Sequence, residues 1–193
     1  MLTERFERAL AYAASLHRDQ KRKGSDTPYV AHLLATAAIA IEHGADEDEA
    51  VAALLHDAIE DQGGAATRAD IARRFGERVA GIVQECSDTD QLPKPPWRER
   101  KEAYLAHLPH ASKSARFVSA CDKLHNARAV LSDYEQRGED LWEIFNGGRE
   151  GTLWYYRAIA DTLADCDEST VVRDLVRTVD RLEETVRSAT PRK

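Results

Sequence analysis

Apolar residues recur along most of this chain at intervals of three and four positions, the spacing that places them on one face of an α-helix. The segment from Val172 to Val186 shows this pattern most clearly, and the segment from Lys113 to Tyr134 has a continuous apolar stripe typical of a long buried helix. Few runs of Val, Ile and Thr alternate with polar residues as half-buried strands do. The pattern therefore predicts an all-α fold.

Capping and helix-breaking residues locate the ends of the predicted helices. Thr3 and Asp46 are suitable N-caps, and Gly44 and the pair Gly63-Gly64 are suitable stops. The helix that begins after Asp46 is predicted to continue without a break as far as Gly63. The predicted helices cover approximately residues 3–20, 30–43, 47–62, 67–75, 77–86, 98–108, 113–134, 152–165 and 170–188.

Length and composition narrow the class of protein. A chain of 193 residues suits a single domain with one active site. With 42% apolar and 32% charged residues, the chain is too apolar for a disordered protein and too charged for a membrane protein. Glu4, Arg5, Glu7 and Arg8 occupy the place where a secretory signal needs an apolar run. We therefore expect a cytoplasmic protein that does not span a membrane.

The cysteines and the net charge argue against two further classes. Cys86, Cys121 and Cys166 are odd in number, distant from one another and without C-x-x-C spacing, so reduced thiols are expected rather than disulfides or a cysteine zinc site. A formal net charge of -7 argues against a nucleic-acid-binding surface, which uses clustered Lys and Arg. The short cationic run at 21–23 could still receive a small polyanion.

Four polar residues follow the apolar run VAALL in the third predicted helix: His56, Asp57, Glu60 and Asp61. A helix that buries such a run seldom continues with these residue types unless they line a polar cavity. In a continuous helix, the spacing of four places His56 beside Glu60 and Asp57 beside Asp61 on neighbouring strips. The four side chains are therefore predicted to converge.

Two distant residues are natural partners for this cluster. His32 and Asp122 each lie in an apolar helical segment, where a polar side chain needs a partner if it is buried. Taken singly, such residues are more often surface or hydrogen-bonded groups than metal ligands. Two imidazoles and two carboxylates together suit manganese, iron, zinc or another first-row cation better than calcium. Such a cation lowers the pKa of bound water and polarises a phosphoryl oxygen.

Four longer motifs occur in a fixed order along the chain: LHRDQKRKGSDTPYVAH, LLHDAIED, VQECSDTD and SACDKLHNARAV. In this order they resemble the HD phosphohydrolase superfamily, and most closely the small alarmone hydrolases, whose domain also forms the hydrolase half of RelA/SpoT proteins. The resemblance implies an all-α HD-domain helical bundle over 1–193, with a metal-site core at about 3–135 and C-terminal helices at about 150–188. It also implies metal-dependent hydrolysis of the 3′-pyrophosphate of guanosine 3′-polyphosphates.

The resemblance also implies roles for particular residues. One divalent cation, typically Mn²⁺ with Zn²⁺, Fe²⁺ or Co²⁺ as alternatives, is expected to bind two histidines and two carboxylates: His32, His56, Asp57 and Asp122. The catalytic set is expected to comprise an acidic pair that orients or activates water and an amide at the scissile phosphate: Glu60, Asp61 and Asn126. The expected substrate-binding residues are cationic: Arg22, Lys23 and Lys123.

The chain departs from the family pattern at two points. The turn from Lys23 to Pro28 is one residue longer than the common RKSGEPY form, which leaves open how Arg22 and Lys23 share the contacts with base and phosphates. Leu33 follows His32 where the family usually has proline, a change expected to alter how the chain enters the helix. Neither change removes a predicted metal ligand.

Several alternatives remain open from the sequence. Another HD hydrolase could act on a nucleoside monophosphate, a deoxynucleotide or an adenosine 3′-polyphosphate, and a nucleotide sensor could bind without turnover, although the intact acidic pair favours an enzyme. The segments WRERKEAY and WYYR could frame a pocket or form ordinary amphipathic helices, with the second reading favoured. His17 and His125 could support the ligands, and the stripe ending at Val186 could pack internally or form a homodimer.

Overall fold

The computed structural model describes residues 1–89 and 93–189, and this part of the chain contains helices and no strand beyond an isolated bridge between Lys21 and Pro28. The all-α prediction is confirmed. The α-helices are α1 Glu4–Leu16, α2 Val30–Glu42, α3 Glu47–Leu55, α4 Ala58–Asp61, α5 Gly64–Phe75, α6 Glu77–Cys86, α7 Trp97–His107, α8 Lys113–Arg137, α9 Gly148–Cys166 and α10 Thr170–Ser188. Short 3-10 segments occupy Leu108–His110 and Gly138–Ile144.

Both predicted N-caps are confirmed. The Thr3 hydroxyl accepts a hydrogen bond from the Arg5 amide at the start of α1. At the start of α3, the Asp46 carboxylate accepts from the Glu49 amide at 2.9 Å and the Glu49 carboxylate accepts from the Asp46 amide at 3.0 Å. This reciprocal pair is a capping box, which satisfies two helix-terminal N–H groups at once.

The first helix ends at Leu16 and not near Gln20, so the predicted extension was wrong. The backbone of the following residues pairs with the next turn instead. The Tyr29 amide donates to the Gln20 carbonyl at 2.9 Å and the Arg22 amide donates to the Thr27 carbonyl at 2.8 Å. The Gln20 amide donates to the His17 carbonyl at 3.1 Å and not to the carbonyl four residues before it, so the α-helical pattern has ended before Gln20.

The prediction of one unbroken helix through His56 and Asp57 was also wrong. Helix α3 ends at Leu55 and α4 begins only at Ala58, with Asp57 at φ -95° and ψ -4°. The Ala53 carbonyl, which a continuous helix pairs with the amide of Asp57, lies 2.9 Å from His56 Nδ1. The break lies at His56 and Asp57, whose side chains meet with His56 Nε2 2.9 Å from Asp57 Oδ2, while the Asp61 amide still donates to the Asp57 carbonyl at 3.0 Å.

Smaller differences concern the ends of other helices. Helix α5 begins at Gly64 and not at Thr67, and the hydroxyl of Thr67, which lies within the helix, donates to the carbonyl of Gln62 ahead of the helix at 2.6 Å. Gly63 and Gly64 have φ of +126° and +58°, backbone angles that side-chain-bearing residues rarely adopt, which explains why a glycine pair stands at this turn. Helix α9 begins at Gly148, four residues before the predicted start at 152.

Helix α8 runs through the centre of the protein and packs against α2, α3, α6, α9 and α10. The apolar stripe of α10, from Val172 to Val186, is buried against α8 and α9. This stripe therefore packs within its own chain. Cys121 is buried, Cys86 is partly buried, and the cysteines are free thiols, as expected. Among the described residues, no helix combines the length and apolar character needed to cross a bilayer.

Candidate functional site

Residues from three separate parts of the chain meet beside the break between α3 and α4. His32 comes from the first turn of α2, His56 and Asp57 form the break, and Asp122 projects from α8. His56 Nε2 lies 2.9 Å from Asp57 Oδ2 and 3.5 Å from Asp122 Oδ1. His32 Nε2 lies 3.2 Å from Asp122 Oδ1 and 3.2 Å from His56 Nε2. The structure thus brings together the four residues predicted as metal ligands.

The two imidazoles are held with Nε2 directed at the carboxylates. His56 Nδ1 lies 2.9 Å from the Ala53 carbonyl, an acceptor that requires the ring proton on Nδ1. His32 Nδ1 lies 2.8 Å from His125 Nδ1. When each imidazole carries a single proton, on Nδ1, both Nε2 atoms have free lone pairs that face the same point. His125 thus contacts a predicted ligand, as the sequence suggested.

The donor set suits a divalent cation. Ligand atoms of His32, His56 and Asp57 lie within 4.8 Å of one another, and Asp122 approaches both imidazoles from the side of α8. Burial lowers the pKa of His56, but the charges of Asp57 and Asp122 outweigh it and raise this pKa well above its usual value. A mixed nitrogen and oxygen set is typical of first-row metals.

Asp122 is held by its neighbours on α8. Lys123 forms an ion pair with one carboxylate oxygen, and Asn126 Nδ2 donates to the other at 2.5 Å. Burial raises the pKa of Asp122, but the charges of Lys123 and His56 lower it well below its usual value. Arg22 in turn donates to Asn126 Oδ1 at 2.8 Å. Asp122, Asn126 and Arg22 therefore form a chain of contacts that begins at a predicted ligand.

Glu60 and Asp61 lie on the short helix α4, next to the ligand cluster. Lys94 Nζ donates to Glu60 Oε1 at 2.8 Å and lies 3.4 Å from Asp61 Oδ1. Gln20 Nε2 donates to Asp61 Oδ2 at 2.9 Å. Burial, together with the charge of Asp88, raises the pKa of Glu60, which makes this carboxylate a better proton acceptor.

Two connected spaces open beside these residues. The larger has a volume of about 600 Å³ and extends from His32 past Asn126 to Arg137, Phe145 and Gly147. The smaller, of about 430 Å³, is lined by the carboxylates Asp57 and Asp122 and by the acidic pair of α4. Both spaces share several lining residues that are predominantly cationic or polar: Lys23, Tyr29, Glu60, Lys101, Lys123, Asn126 and Tyr155.

The sequence analysis overlooked several groups at the site. Tyr29 donates from its hydroxyl to Asp57, and Lys94 pairs with the acidic residues of α4. Asp88 is nearly buried and binds Arg100 and Lys101 at 2.6 Å each. Tyr29 and Asp88 lie inside motifs that the sequence already shows, and their place in those motifs is the signal that points to them.

Some aromatic and cationic residues of α7 and α9 line the cavity, whereas others make contacts elsewhere. Lys101 and Tyr155 line the cavity, and the Lys101 ammonium lies 4.9 Å from the Tyr155 ring centroid. Arg98 instead stacks on Trp154, with its guanidinium carbon 3.3 Å from a ring centroid. Arg157 forms ion pairs with α10. Arg100, Tyr104 and Tyr156 also line the two spaces, so the pocket-framing alternative, which was not favoured, holds for these residues together with Lys101 and Tyr155.

A family model described as an HD domain matches residues 9–153. The chain belongs to the HD domain family. Among curated relatives of this HD domain, guanosine-3′,5′-bis(diphosphate) 3′-pyrophosphohydrolase MESH1 of Xenopus tropicalis is 42% identical over 123 residues, which cover 62% of this chain and 66% of the relative. The aligned region of MESH1 from Danio rerio covers 64% of that relative. Both shares are just under two thirds of the relatives' length.

Longer bacterial proteins and a solved structure match the HD domain as well. Guanosine-3′,5′-bis(diphosphate) 3′-pyrophosphohydrolase of Aquifex aeolicus is 43% identical over 140 residues, which cover 72% of this chain and 19% of that protein. A solved structure described as a metazoan ortholog of SpoT that hydrolyses ppGpp superposes with a TM-score of 0.75 at 27% identity, covering 96% of this chain and 97% of that one. These matches confirm the resemblance drawn from the sequence.

Proposed function

We propose that this HD domain hydrolyses the 3′-pyrophosphate of guanosine 3′,5′-bis(diphosphate) and related alarmones, in a reaction that needs a divalent metal. The observation that carries the proposal is the convergence of His32, His56, Asp57 and Asp122 at one end of a cavity with cationic walls. The relatives named for this activity support the substrate class. We also infer that residues 1–193 form one domain, since the C-terminal helices share a core with α8.

The four converging residues are the proposed metal ligands, and Mn²⁺ is the proposed cation. Both imidazoles would bind through Nε2, and Asp57 and Asp122 would each contribute a carboxylate oxygen. A bound cation of this kind acts as a Lewis acid toward a phosphoryl oxygen and makes water easier to deprotonate. His125 positions His32, and the Ala53 carbonyl positions His56.

Glu60 and Asp61 are proposed to orient the attacking water and accept its proton. Both carboxylates border the smaller space together with the ligands Asp57 and Asp122, so water there lies within their reach. The raised pKa of Glu60 favours proton acceptance, and Lys94 holds the pair in place. Water then attacks the phosphorus bonded to the 3′-oxygen and the bond between them breaks, so that the water oxygen stays on the released pyrophosphate and the departing 3′-oxygen takes up a proton to become the 3′-hydroxyl of the nucleotide.

Cationic side chains are proposed to stabilise the charge of the nucleotide. Lys123 lies at the boundary of both spaces, and Arg22 and Lys23 line the larger one. Asn126 stands between Arg22 and Asp122, a place from which its amide can contact the scissile phosphate. Fixed donors directed at the phosphoryl oxygens stabilise charge that develops in the transition state.

The test is turnover of guanosine 3′,5′-bis(diphosphate) by the metal-free protein supplemented in turn with Mn²⁺, Zn²⁺, Fe²⁺ or Co²⁺. Pyrophosphate and phosphate are measured separately, with nucleoside monophosphates and deoxynucleotides as competing substrates. We expect pyrophosphate release that depends on added metal and is highest with Mn²⁺. Phosphate release from a monophosphate would instead identify another HD hydrolase, and nucleotide binding without turnover would identify a sensor.

A further inference from the structure

One face of α8 forms a continuous wall of the larger cavity. The wall residues follow one another at intervals of one, three and four positions: Asn126, Ala129, Val130, Asp133 and Arg137. The proposed ligand Asp122 lies on the same helix, and the eleven steps from Asp122 to Asp133 correspond to ~16 Å of helix rise. The wall therefore leads away from the metal-ligand end, with room for a nucleoside along it.

Asp133 is distinctive because its carboxylate lines the cavity without a partner. The residue is partly buried, and among residues 1–89 and 93–189 its side chain makes no hydrogen bond or ion pair. Neighbouring polar groups are paired: Lys23 donates to Asn146 at 2.8 Å, and Arg137 donates to the Gly24 carbonyl at 3.1 Å. Asp133 alone in this part of the wall offers two free acceptor oxygens.

A partly buried carboxylate determines which part of a ligand can face it. Removing a charged group from water is costly unless hydrogen-bond donors replace the water. A phosphate group would be repelled by the like charge of Asp133. Ala129 and Val130, between Asp133 and Asn126, offer a small apolar surface that suits a flat ring. The ligand group at Asp133 must therefore be a ring edge that carries N–H donors.

We propose that Asp133 binds the Watson–Crick edge of guanine and selects this base over adenine. The inference rests on the proposed function and extends it to the base. Guanine presents two adjacent donors, N1–H and the 2-amino group, which match the two carboxylate oxygens. Adenine presents an amino donor beside the N1 lone pair, and that lone pair would face a carboxylate oxygen. Hypoxanthine keeps N1–H but lacks the 2-amino group.

The test compares kcat/KM for the 3′,5′-bis(diphosphates) of guanosine, inosine and adenosine. We expect the wild-type protein to prefer guanosine to inosine by about tenfold and to disfavour adenosine further, because hydrogen bonds to a charged group are worth about tenfold or more in affinity. Asp133→Asn should shift the guanosine-to-adenosine ratio at least about tenfold toward adenosine, since an amide offers one acceptor and one donor. Asp140→Asn, the same change at an exposed residue, is the matched control and should leave the ratio unchanged.

A second variant guards against a folding defect. Asp133→Leu should lose the preference for guanosine over inosine without gaining activity on adenosine, and both variants should retain the wild-type metal content. Wild-type base ratios in both Asp133 variants would overturn the inference and leave the proposed function standing. Absence of turnover of all three nucleotides by the wild-type protein would overturn the proposed function and this inference with it.

Discussion

The Tyr29 hydroxyl donates a hydrogen bond of 2.7 Å to Asp57 Oδ2, the same oxygen that lies 2.9 Å from His56 Nε2. Burial raises the pKa of Tyr29, and the adjacent Asp57 charge raises it further, so the phenol stays a donor. This bond fixes the rotation of a carboxylate at the break between α3 and α4. Tyr29 therefore supports a proposed ligand from the turn that precedes α2.

Tyr29→Phe should weaken metal binding by about 10-fold to 100-fold, the usual effect of losing a group that orients a ligand. The ring should keep its place because it stacks on His17 with centroids 5.3 Å apart. Metal affinity is measured by calorimetric titration of the metal-free protein. Tyr134→Phe removes a comparable 2.7 Å bond to Glu139 outside the cavity and serves as the control. Equal metal affinity in both variants would show that Tyr29 does not act on the ligand.

Asp122→Ala should abolish both metal content and turnover, because it removes a proposed ligand and leaves the partly buried Lys123 without its carboxylate partner. Glu60→Gln and Asp61→Asn should keep the metal and reduce kcat by about 10²-fold to 10⁴-fold, the range expected for a lost general base. Metal content is measured by elemental analysis beside the kinetics. Full metal content together with full activity in Asp122→Ala would contradict the ligand assignment.

Gly147→Ala should reduce stability and substrate turnover while metal binding persists. A Cβ at Gly147 would lie 2.7 Å from the Trp97 ring, so α7 must move away from α9 and carry its cavity-lining residues with it. Overpacking of this kind costs about 1–3 kcal/mol of unfolding free energy. The measurement is urea unfolding together with KM and kcat.

Gly81→Ala is the matched control for Gly147→Ala. Gly81 lies within α6, and a Cβ there meets no atom within 4 Å, so the change should stabilise the protein by about 0.5–1 kcal/mol through helix propensity. If both alanines stabilised the protein equally, the contact between Gly147 and Trp97 would not restrict α7.

Asp46→Ala should destabilise the protein by about 1 kcal/mol, because it removes the N-cap of α3. Asp46→Asn keeps an N-cap acceptor but loses the charge that pairs with Arg78. Burial raises the pKa of Asp46, yet hydrogen bonds from Arg78 and the Glu49 amide lower it overall. The charge-dependent stability is therefore full above the unfolded pKa of about 3.9 and is lost as pH falls through the lower folded pKa.

The measurement for Asp46 is the free energy of unfolding against pH. The difference between wild type and Asp46→Asn should be constant near neutral pH and should shrink as the solution is acidified below about pH 4. A difference that grew on acidification would mean that the folded pKa of Asp46 is raised and that the pair with Arg78 is not stabilising.

The sequence by itself determined the helical class and the caps, because periodicity and capping depend on residues a few positions apart. Thr3 and Asp46 cap the helices that the pattern predicted. The ordered motifs also identified the residues that converge at the site, although the roles proposed for them await experiment. The apolar context of His32 and Asp122, ninety positions apart, suggested them as partners of the cluster, and the family resemblance made that expectation specific.

Only the tertiary structure decided how those residues are presented. The break after Leu55 arises where the His56 ring meets the Ala53 carbonyl, and the end of α1 depends on backbone pairs between residues 20 and 29. The apolar stripe of α10 is compatible with either an internal or an intermolecular partner, and packing against α8 settled the choice. The unpaired state of Asp133 is likewise invisible in the sequence. Each of these depends on contacts between distant segments, which compete with local preferences and can override them.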